Sequence, residues 1–138
     1  MRLWHIDLIP YLPKSQLLAQ WRELNSIFKK QDKHILINYI YKYPKDYLYY
    51  YSNKVLVEMV NRGISIKSWD NYRNYFSNFL MSGVYTHEDD EPLKYDEHNA
   101  EYLAICYHNL LEKYRRGQKD FSEKQYSKLT KLYHTYCI

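Results

Sequence analysis

The sequence has few residues that interrupt helices and few that could cross-link a fold. It contains 3 Gly, 4 Pro and 2 Cys in 138 residues. Because Gly and Pro are the strongest breakers of regular structure, their scarcity favours long helices and predicts an all-α fold. The two cysteines, Cys106 and Cys137, have no second pair with which to form a zinc site. We expect both to be free thiols, since cytoplasmic chains rarely carry disulfides.

Long apolar runs are also missing. No segment approaches the roughly 18 consecutive apolar residues of a membrane-spanning helix, so we expect no association with a membrane. Residues 1–7 contain one basic residue but neither an apolar core nor a small-residue cleavage site, and they do not resemble a secretory signal. These absences favour a cytoplasmic protein.

Several catalytic and metal-binding signatures are absent. The sequence has no glycine-rich phosphate loop, no Gly-x-Ser-x-Gly elbow, no Cys-x-x-Cys pair and no His-Glu-x-x-His motif. Metal-capable side chains occur at 87–98, but they lack the ligand order of a calcium or zinc site, and we interpret them as an exposed acidic loop. No neighbour in sequence would activate the thiol of Cys106, so we interpret it as a core residue.

Tyrosine and positive charge are the residue classes in excess. The chain contains 18 Tyr, against 4 Phe and 3 Trp, and its net charge is +4. Residues 87–101 carry a charge of −6, so the rest of the chain carries +10. Basic, tyrosine-rich surfaces suit nucleic acids, because phenol rings stack on bases while Lys and Arg neutralise phosphates. A basic protein without a polyanionic partner is the alternative interpretation.

Length and composition indicate one compact domain spanning residues 1–138. With 46% apolar and 26% charged residues, the chain resembles an average globular protein and is long enough to bury one core. The spacing of apolar residues predicts four to five helices. Their expected bounds are Pro13–Lys30, Tyr47–Arg62, Ser68–Leu80, Asn99–Arg115 and Ser122–Tyr136.

Each predicted helix has an expected buried face and expected ends. The predicted N-terminal caps include Asp46, Ser68 and Ser122, and Gly63 and Gly117 are predicted to stop two helices. The side chains expected to face inward are Leu17, Trp21, Leu24 and Phe28; Leu48, Tyr51, Val55, Leu56, Met59 and Val60; Trp69, Tyr72, Phe76 and Phe79 or Leu80; Leu103, Tyr107, Leu110 and Leu111 or Tyr114; and Tyr126, Leu129, Leu132, Tyr133 and Tyr136.

The amino-terminal half contains three motifs whose order and spacing are informative. They are Arg22-Glu23-Leu24 in the first helix, the Lys33-His34 pair ten residues beyond it, and residues 62–67 after the second helix. In this order the motifs resemble the pyrimidine-dimer DNA glycosylases, a family of small DNA-repair enzymes. The resemblance is close over about the first half of the chain and loose over the second half.

The resemblance implies an all-α enzyme that recognises ultraviolet-induced pyrimidine dimers in double-stranded DNA, cleaves a glycosidic bond and then nicks the abasic strand. In this family the nucleophile is the α-amine of the first residue. In this sequence that amine belongs to Met1, because the bulky Arg2 should prevent removal of the initiator Met, and the catalytic carboxylate is Glu23. The implied DNA-binding residues are Arg2, Arg22, His34, Lys67 and Lys113. The enzyme would act as a monomer and would need neither a metal ion nor an organic cofactor.

The residue types suit that chemistry. An unperturbed α-amine has a pKa of about 7.7–8.0, far below that of a lysine, so a useful fraction is neutral and nucleophilic near neutral pH. Attack at the sugar C1′ would expel the base and leave an imine, which permits β-elimination of the 3′ phosphate. A carboxylate at Glu23 would stabilise oxocarbenium-like charge and then help to move protons.

Plainer interpretations of the same residues stay open at this point. Arg22 and Glu23 are also compatible with an ordinary exposed helix pair, and residues 1–2 with a frayed terminus. Lys67 and Lys113 are equally compatible with solubilising charges on the surface. A lone histidine such as His34 is more often a surface or hydrogen-bonded residue than a catalytic group.

The chain departs from the family pattern at two positions that are basic in the family, where it has Ser26 and Asn109.

The alternative function is a noncatalytic nucleic-acid-binding module that uses the Tyr and Lys residues between Tyr39 and Lys54. We expect many of the tyrosines to be core or core-edge rings with exposed hydroxyls and with no part in the chemistry.

Overall fold

The computed structural model describes residues 1–67, 69–77 and 93–137. The helices are α1 Lys14–Lys30, α2 Lys45–Asn61, α3 Asp70–Tyr75, α4 Ala100–Arg115 and α5 Glu123–Cys137, with short 3-10 helices at Ile6–Tyr11 and Asn38–Lys42. The described residues contain no β-strand, which confirms the all-α prediction. Over the same ranges, no helix has the length and apolar character needed to cross a membrane.

Helix α1 packs its predicted buried face, a stripe of apolar side chains, against α2 and α3. Pro13 occupies the N-cap, one residue before the helix begins. The helix ends at Lys30 as predicted, because Gln31 adopts a left-handed conformation with φ of 50° and donates its N–H to the Ile27 carbonyl. The four buried stripe residues are Leu17, Trp21, Leu24 and Phe28.

Two predictions for α2 are wrong. The N-cap is Pro44 rather than Asp46. Asp46 lies inside the first turn, where its carboxylate interacts favourably with the helix dipole. Val60 is 63% exposed because the buried face passes through Met59, and the next residue is rotated about 100° further around the helix. The predicted stop is confirmed, since Gly63 follows the helix with φ of 72°.

Helix α3 lies inside the predicted third helix. Tyr72 and Phe76 are buried, as expected from their spacing, and Trp69 is half-buried beside them. The predicted cap Ser68 lies outside the described residues. So do residues 78–92, which include Phe79, Leu80 and the first part of the predicted acidic loop.

Side-chain caps begin α4 and α5 close to the predicted positions. The Asn99 Oδ1 accepts the Tyr102 N–H at 2.9 Å before α4. Before α5, the Ser122 Oγ accepts the Gln125 N–H at 3.1 Å, while the Gln125 Oε1 accepts the Ser122 N–H at 3.3 Å. This reciprocal pair is a capping box, which satisfies two N–H groups that the helix itself cannot pair. The predicted stop after α4 is confirmed by Gly117, with φ of 84°.

Two stacked tyrosine pairs join α4 to α5. The rings of Tyr107 and Tyr133 are parallel with centroids 4.1 Å apart, and those of Tyr114 and Tyr126 repeat this geometry at 4.1 Å. The members of each helix are seven residues apart, which places them on one face of two antiparallel helices. Much of the tyrosine excess in this half of the chain therefore serves helix packing.

Residues 3–5 are buried in the core although they belong to no helix or strand. Without a neighbouring strand, their backbone polar groups need other partners. The Trp4 N–H donates to the Gln20 Oε1 at 2.8 Å, and the Trp4 carbonyl accepts the Tyr51 hydroxyl at 2.7 Å. The Leu3 carbonyl accepts the Tyr102 hydroxyl at 2.5 Å. Side chains of α1, α2 and α4 thus hold the amino-terminal segment in place.

A buried histidine pair extends this anchoring. The rings of His5 and His98 stack with centroids 5.4 Å apart. Burial lowers the pKa of His5 to about 4 and that of His98 to about 3, so both rings are neutral near pH 7. The His98 Nδ1 accepts the Ile6 N–H at 3.1 Å, which leaves the ring proton on Nε2 for the Tyr39 hydroxyl oxygen at 2.7 Å.

We predict that the protein loses stability between pH 7 and pH 5. Burial lowers the pKa values of His5 and His98 below the unfolded value near 6.5, so protons bind the unfolded chain more tightly. The neutral rings make their full contribution to the free energy of unfolding above about pH 6.5. This contribution is lost as the pH falls toward about 4, and the loss is at most about 1.4 kcal/mol per pH unit for each ring. Urea unfolding at pH 7, 6 and 5 measures this slope.

Two variants show whether these rings cause the pH dependence. His5→Asn keeps an acceptor for the Asp7 N–H, which His5 Nδ1 accepts at 3.1 Å, and should reduce the slope. His134→Gln changes an exposed imidazole and should leave the slope unaltered. Equal free energies of unfolding at pH 7 and pH 5 in the wild type would contradict the prediction.

Candidate active site

The amino-terminal segment, α1 and α4 enclose a cleft of about 250 Å³. The segment reaches the cleft because its backbone is fixed to Gln20, Tyr51 and Tyr102. The lining includes Met1, Arg2, Gln20, Glu23, Leu36, Asn109 and Lys113. The first residue of the chain and the first-helix glutamate, which are 22 positions apart in sequence, therefore face one concavity that also contains two cationic side chains.

Glu23 is half-buried, and its surroundings act on its charge in opposite directions. Burial raises the pKa of the Glu23 carboxyl, whereas the charge of the terminal amine, a hydrogen bond from the Arg2 backbone, a hydrogen bond from Gln20 and the charge of Arg22 favour the ionised form. Burial has the larger effect, and the pKa of Glu23 lies above its ordinary value. A carboxyl of this kind can exchange a proton closer to neutral pH than an exposed glutamate can.

Gln20 connects the carboxylate to the amino-terminal segment. Its side chain is almost fully buried, with 1% exposed. The Nε2 donates to the Arg2 carbonyl at 3.2 Å and to the Glu23 Oε2 at 3.1 Å, while the Oε1 accepts the Trp4 N–H and the Tyr51 hydroxyl. Because both the Nε2 and the Oε1 of the Gln20 amide have partners, the orientation of the amide is fixed. The Nε2 therefore faces the Glu23 carboxylate as a hydrogen-bond donor.

The cleft contains four of the seven predicted site residues, namely Met1, Arg2, Glu23 and Lys113. Arg22 is exposed beside the cleft, and its charge acts on Glu23. His34 and Lys67 are exposed and do not line the cleft, although Leu36 from the loop that carries His34 does.

The two departures from the family pattern have different surroundings. Ser26 lies outside the cleft, where its hydroxyl donates to the Asp32 carboxylate. Asn109 lines the cleft, and its Nδ2 donates to the Ile105 carbonyl one turn earlier in α4 at 2.8 Å. The side chain that α4 places in the cleft at this position is therefore neutral.

A known family matches the amino-terminal half of the chain. The family described as pyrimidine dimer DNA glycosylase has a sequence model that matches residues 1–71, slightly more than half of the chain. The chain belongs to this family. Membership implies a DNA substrate and suggests glycosylase activity at pyrimidine dimers. No curated protein and no solved structure matches the chain significantly.

The part of the chain that matches the family carries most of the cleft. Residues 1–71 include Met1, Arg2, Gln20 and Glu23, whereas Lys113 comes from the unmatched half, on α4. The second half of the chain therefore completes a cleft that the matched residues begin.

The sequence did not reveal the residues that hold the cleft together. The Tyr51 and Tyr102 hydroxyls donate to the backbone carbonyls of Trp4 and Leu3 instead of facing solvent, so these rings position the segment that bears the amine. Gln20 was detectable in principle, since it is a polar residue next to the buried stripe of α1. Its partners, 16 and 31 positions away, were not.

The surface proposed for a noncatalytic module is less open than its sequence indicates. Lys33 lies 3.8 Å from the Tyr41 ring centroid, and Lys45 lies 4.0 Å from that of Tyr75. The Tyr39 hydroxyl contacts His98. In the free protein, ammonium groups thus already occupy ring faces that would otherwise be open to bases.

Three further features of the structure lie apart from the proposed chemistry of the cleft. A cavity of about 570 Å³ between the first 3-10 helix and α2 contains none of the predicted site residues. The described residues include no group of three or more His, Cys, Asp or Glu side chains that could hold a metal ion, and most of the metal-capable side chains at 87–98 lie outside them. Cys106 is buried, and burial raises the pKa of its thiol, which agrees with its interpretation as a core residue.

Proposed function

We propose that this protein is a DNA glycosylase with abasic-site lyase activity, which acts on pyrimidine dimers in double-stranded DNA through an imine formed by the α-amine of Met1. The observation that carries the proposal is that Met1 and Glu23 line one cleft together with Arg2 and Lys113. An amine, a carboxylate and cations in one concavity are the groups that such a reaction needs. Family membership supports the DNA substrate.

The reaction begins at the sugar of the damaged nucleotide. The neutral amine forms a bond to C1′ as the glycosidic bond breaks and its electron pair leaves with the base. Loss of a proton from nitrogen and opening of the sugar ring then give the imine, with a proton added to O4′. The imine acidifies the C2′ hydrogen, and its removal expels the phosphate from C3′ by β-elimination. Hydrolysis of the imine returns the free amine.

Glu23 serves two steps of this sequence. As a carboxylate it stabilises the positive charge that develops on the sugar when the glycosidic bond breaks. It then carries protons to O4′ or from C2′, which is favoured by a pKa raised toward the working pH. Gln20, fixed by Trp4 and Tyr51, orients the carboxylate throughout.

The cations bind the DNA backbone. Arg2 and Lys113 line the cleft and are assigned to the phosphates beside the attacked nucleotide, where Arg side chains can bind two phosphate oxygens at once. Arg22 and Lys67 are exposed and are assigned to flanking phosphates. Contacts of this kind weaken as salt concentration rises, because the counterions that binding releases from the DNA gain less entropy in more concentrated salt.

The noncatalytic alternative uses the same charges without the chemistry. It draws on the Tyr and Lys residues between Tyr39 and Lys54, among which Lys45 and Lys54 each lie over a tyrosine ring. Such a module would bind lesion-containing and undamaged DNA equally and would be indifferent to acetylation of the terminal amine.

Borohydride trapping separates the two functions. Untagged protein is incubated with a duplex that contains one thymine dimer or one abasic site, and sodium borohydride reduces any imine to a stable amine. We expect a covalent protein–DNA adduct with both duplexes, and none with protein whose α-amine is acetylated. Absence of adduct with both duplexes would contradict the proposal and favour the noncatalytic module.

The variant Glu23→Gln should reduce strand cleavage by about 100-fold or more, because a positioned acid–base group contributes on this scale. Its amide can still accept a hydrogen bond from Gln20, so the fold should be retained by circular dichroism and thermal unfolding. The control is Glu112→Gln, which alters an exposed glutamate paired with Arg116 on α4 and should change the rate less than twofold. A normal rate for Glu23→Gln would remove Glu23 from the reaction.

A further inference from the structure

The loop between α1 and the second 3-10 helix exposes two aliphatic side chains. Ile35 is 86% exposed and Leu36 is 40% exposed. We propose that Ile35 and Leu36 form a wedge that enters the DNA duplex and separates the base step at the lesion. This inference rests on the proposed function and adds to it the residues that open the duplex.

The loop is held in one shape from its start. Gln31, with φ of 50°, donates its N–H to the Ile27 carbonyl at 2.8 Å. The Asp32 carbonyl accepts the Tyr41 hydroxyl at 2.5 Å, and the Asp32 carboxylate accepts the Ser26 hydroxyl. These bonds fix the loop to the end of α1 and to the second 3-10 helix.

His34 fixes the tip of the loop, which Ile35 and Leu36 form. Its Nδ1 accepts the Leu36 N–H at 3.1 Å, and its own N–H donates to the Asn38 Oδ1 at 2.8 Å. Its carbonyl accepts the N–H groups of Ile37 and Asn38, each at 2.9 Å. His34 is therefore a positioning residue for Leu36 and Ile35, and the tip would lose little conformational entropy on insertion.

The tip lies at the mouth of the cleft. Leu36 lines the same concavity as Met1 and Glu23, and Ile35 precedes it by one residue. A base step parted by these side chains would therefore lie beside the groups that attack the sugar. A single exposed isoleucine is ordinary on a protein surface, but a rigid aliphatic tip at the edge of a catalytic cleft has a defined position relative to the substrate.

The charges around the tip suit DNA. Residues 33–42 contain Lys33 and Lys42 but no acidic residue, and Lys29 and Lys30 are exposed at the end of α1. These cations can hold the two backbones on either side of the inserted tip. Proteins that kink DNA use aliphatic side chains between base steps in this way, and a damaged step opens more easily than an intact one.

The test compares single-stranded and double-stranded substrates that carry the same abasic site, because only the duplex has to be opened. The variant is Ile35→Ser. The control is Val60→Ser, which alters a similarly exposed aliphatic residue on α2 that does not line the cleft. We expect Ile35→Ser to lower kcat/KM for the duplex at least tenfold while changing it less than twofold for the single strand. Val60→Ser should match the wild type on both.

A second readout follows base unstacking without catalysis. The duplex carries a tetrahydrofuran abasic analogue next to 2-aminopurine, whose fluorescence rises when it leaves the stack. Wild type and Val60→Ser should raise the fluorescence on binding, and Ile35→Ser should not. Wild-type cleavage and fluorescence of the duplex by Ile35→Ser would overturn the wedge, as would equal losses on duplex and single strand.

The two proposals fail separately. Borohydride trapping of the wild type on the single-stranded abasic oligonucleotide reports the imine chemistry without any need to open a duplex. If that adduct is absent, the proposed function fails. If it forms and Ile35→Ser behaves as the wild type on the duplex, only the wedge is overturned.

Discussion

The fold depends on satisfying a buried backbone that belongs to no helix or strand. Residues 3–5 cross the core, where an unpaired backbone N–H or carbonyl would destabilise the protein by about 1–3 kcal/mol. Gln20, Tyr51 and Tyr102 supply the missing partners at 2.5–2.8 Å. Each comes from a different helix, so the segment also joins α1, α2 and α4. Because it is held along its length, its first residue has a defined position.

That position determines the electrostatics of the cleft. The terminal amine and Arg2 lie in the same cleft as Glu23. Gln20 holds them there, because its Nε2 donates to the Arg2 carbonyl. Burial raises the pKa of Glu23, and the nearby positive charges moderate the increase. The amino-terminal segment thus places a carboxyl, an amine and two cations in one small volume. Its buried residues 3–5 anchor it in the core, and its first two residues line the cleft.

The helices were largely predictable because their determinants are local. A 3.6-residue period identifies the buried stripe of α1, and Ser122 with Gln125 identifies the start of α5. The errors at Asp46 and Val60 concern a helix end and the edge of a buried face, which neighbouring elements decide. Met1 and Glu23 were predicted through the family resemblance, and the cleft that contains both became visible only in three dimensions. Contacts such as Ile6 with His98, 92 positions apart, leave no local pattern.

The tyrosine excess has several structural causes. Tyr51 and Tyr102 hold the amino-terminal segment, and Tyr39 contacts His98. Other tyrosines stack in pairs between α4 and α5. A hydroxyl on an aromatic ring can bury apolar surface and still pair a backbone carbonyl, which phenylalanine cannot do. The composition therefore reflects how this chain builds its core around an irregular segment, and base stacking is not needed to explain it.

The position of the sugar in the reduced adduct identifies the amine that forms the imine. Proteolysis of the borohydride-treated complex followed by mass spectrometry locates the attached remnant. We predict that the remnant lies on the α-nitrogen of Met1, in the peptide that contains the first residue. A remnant on a lysine Nζ would contradict it, and Lys113, the lysine that lines the same cleft, is the most informative alternative site.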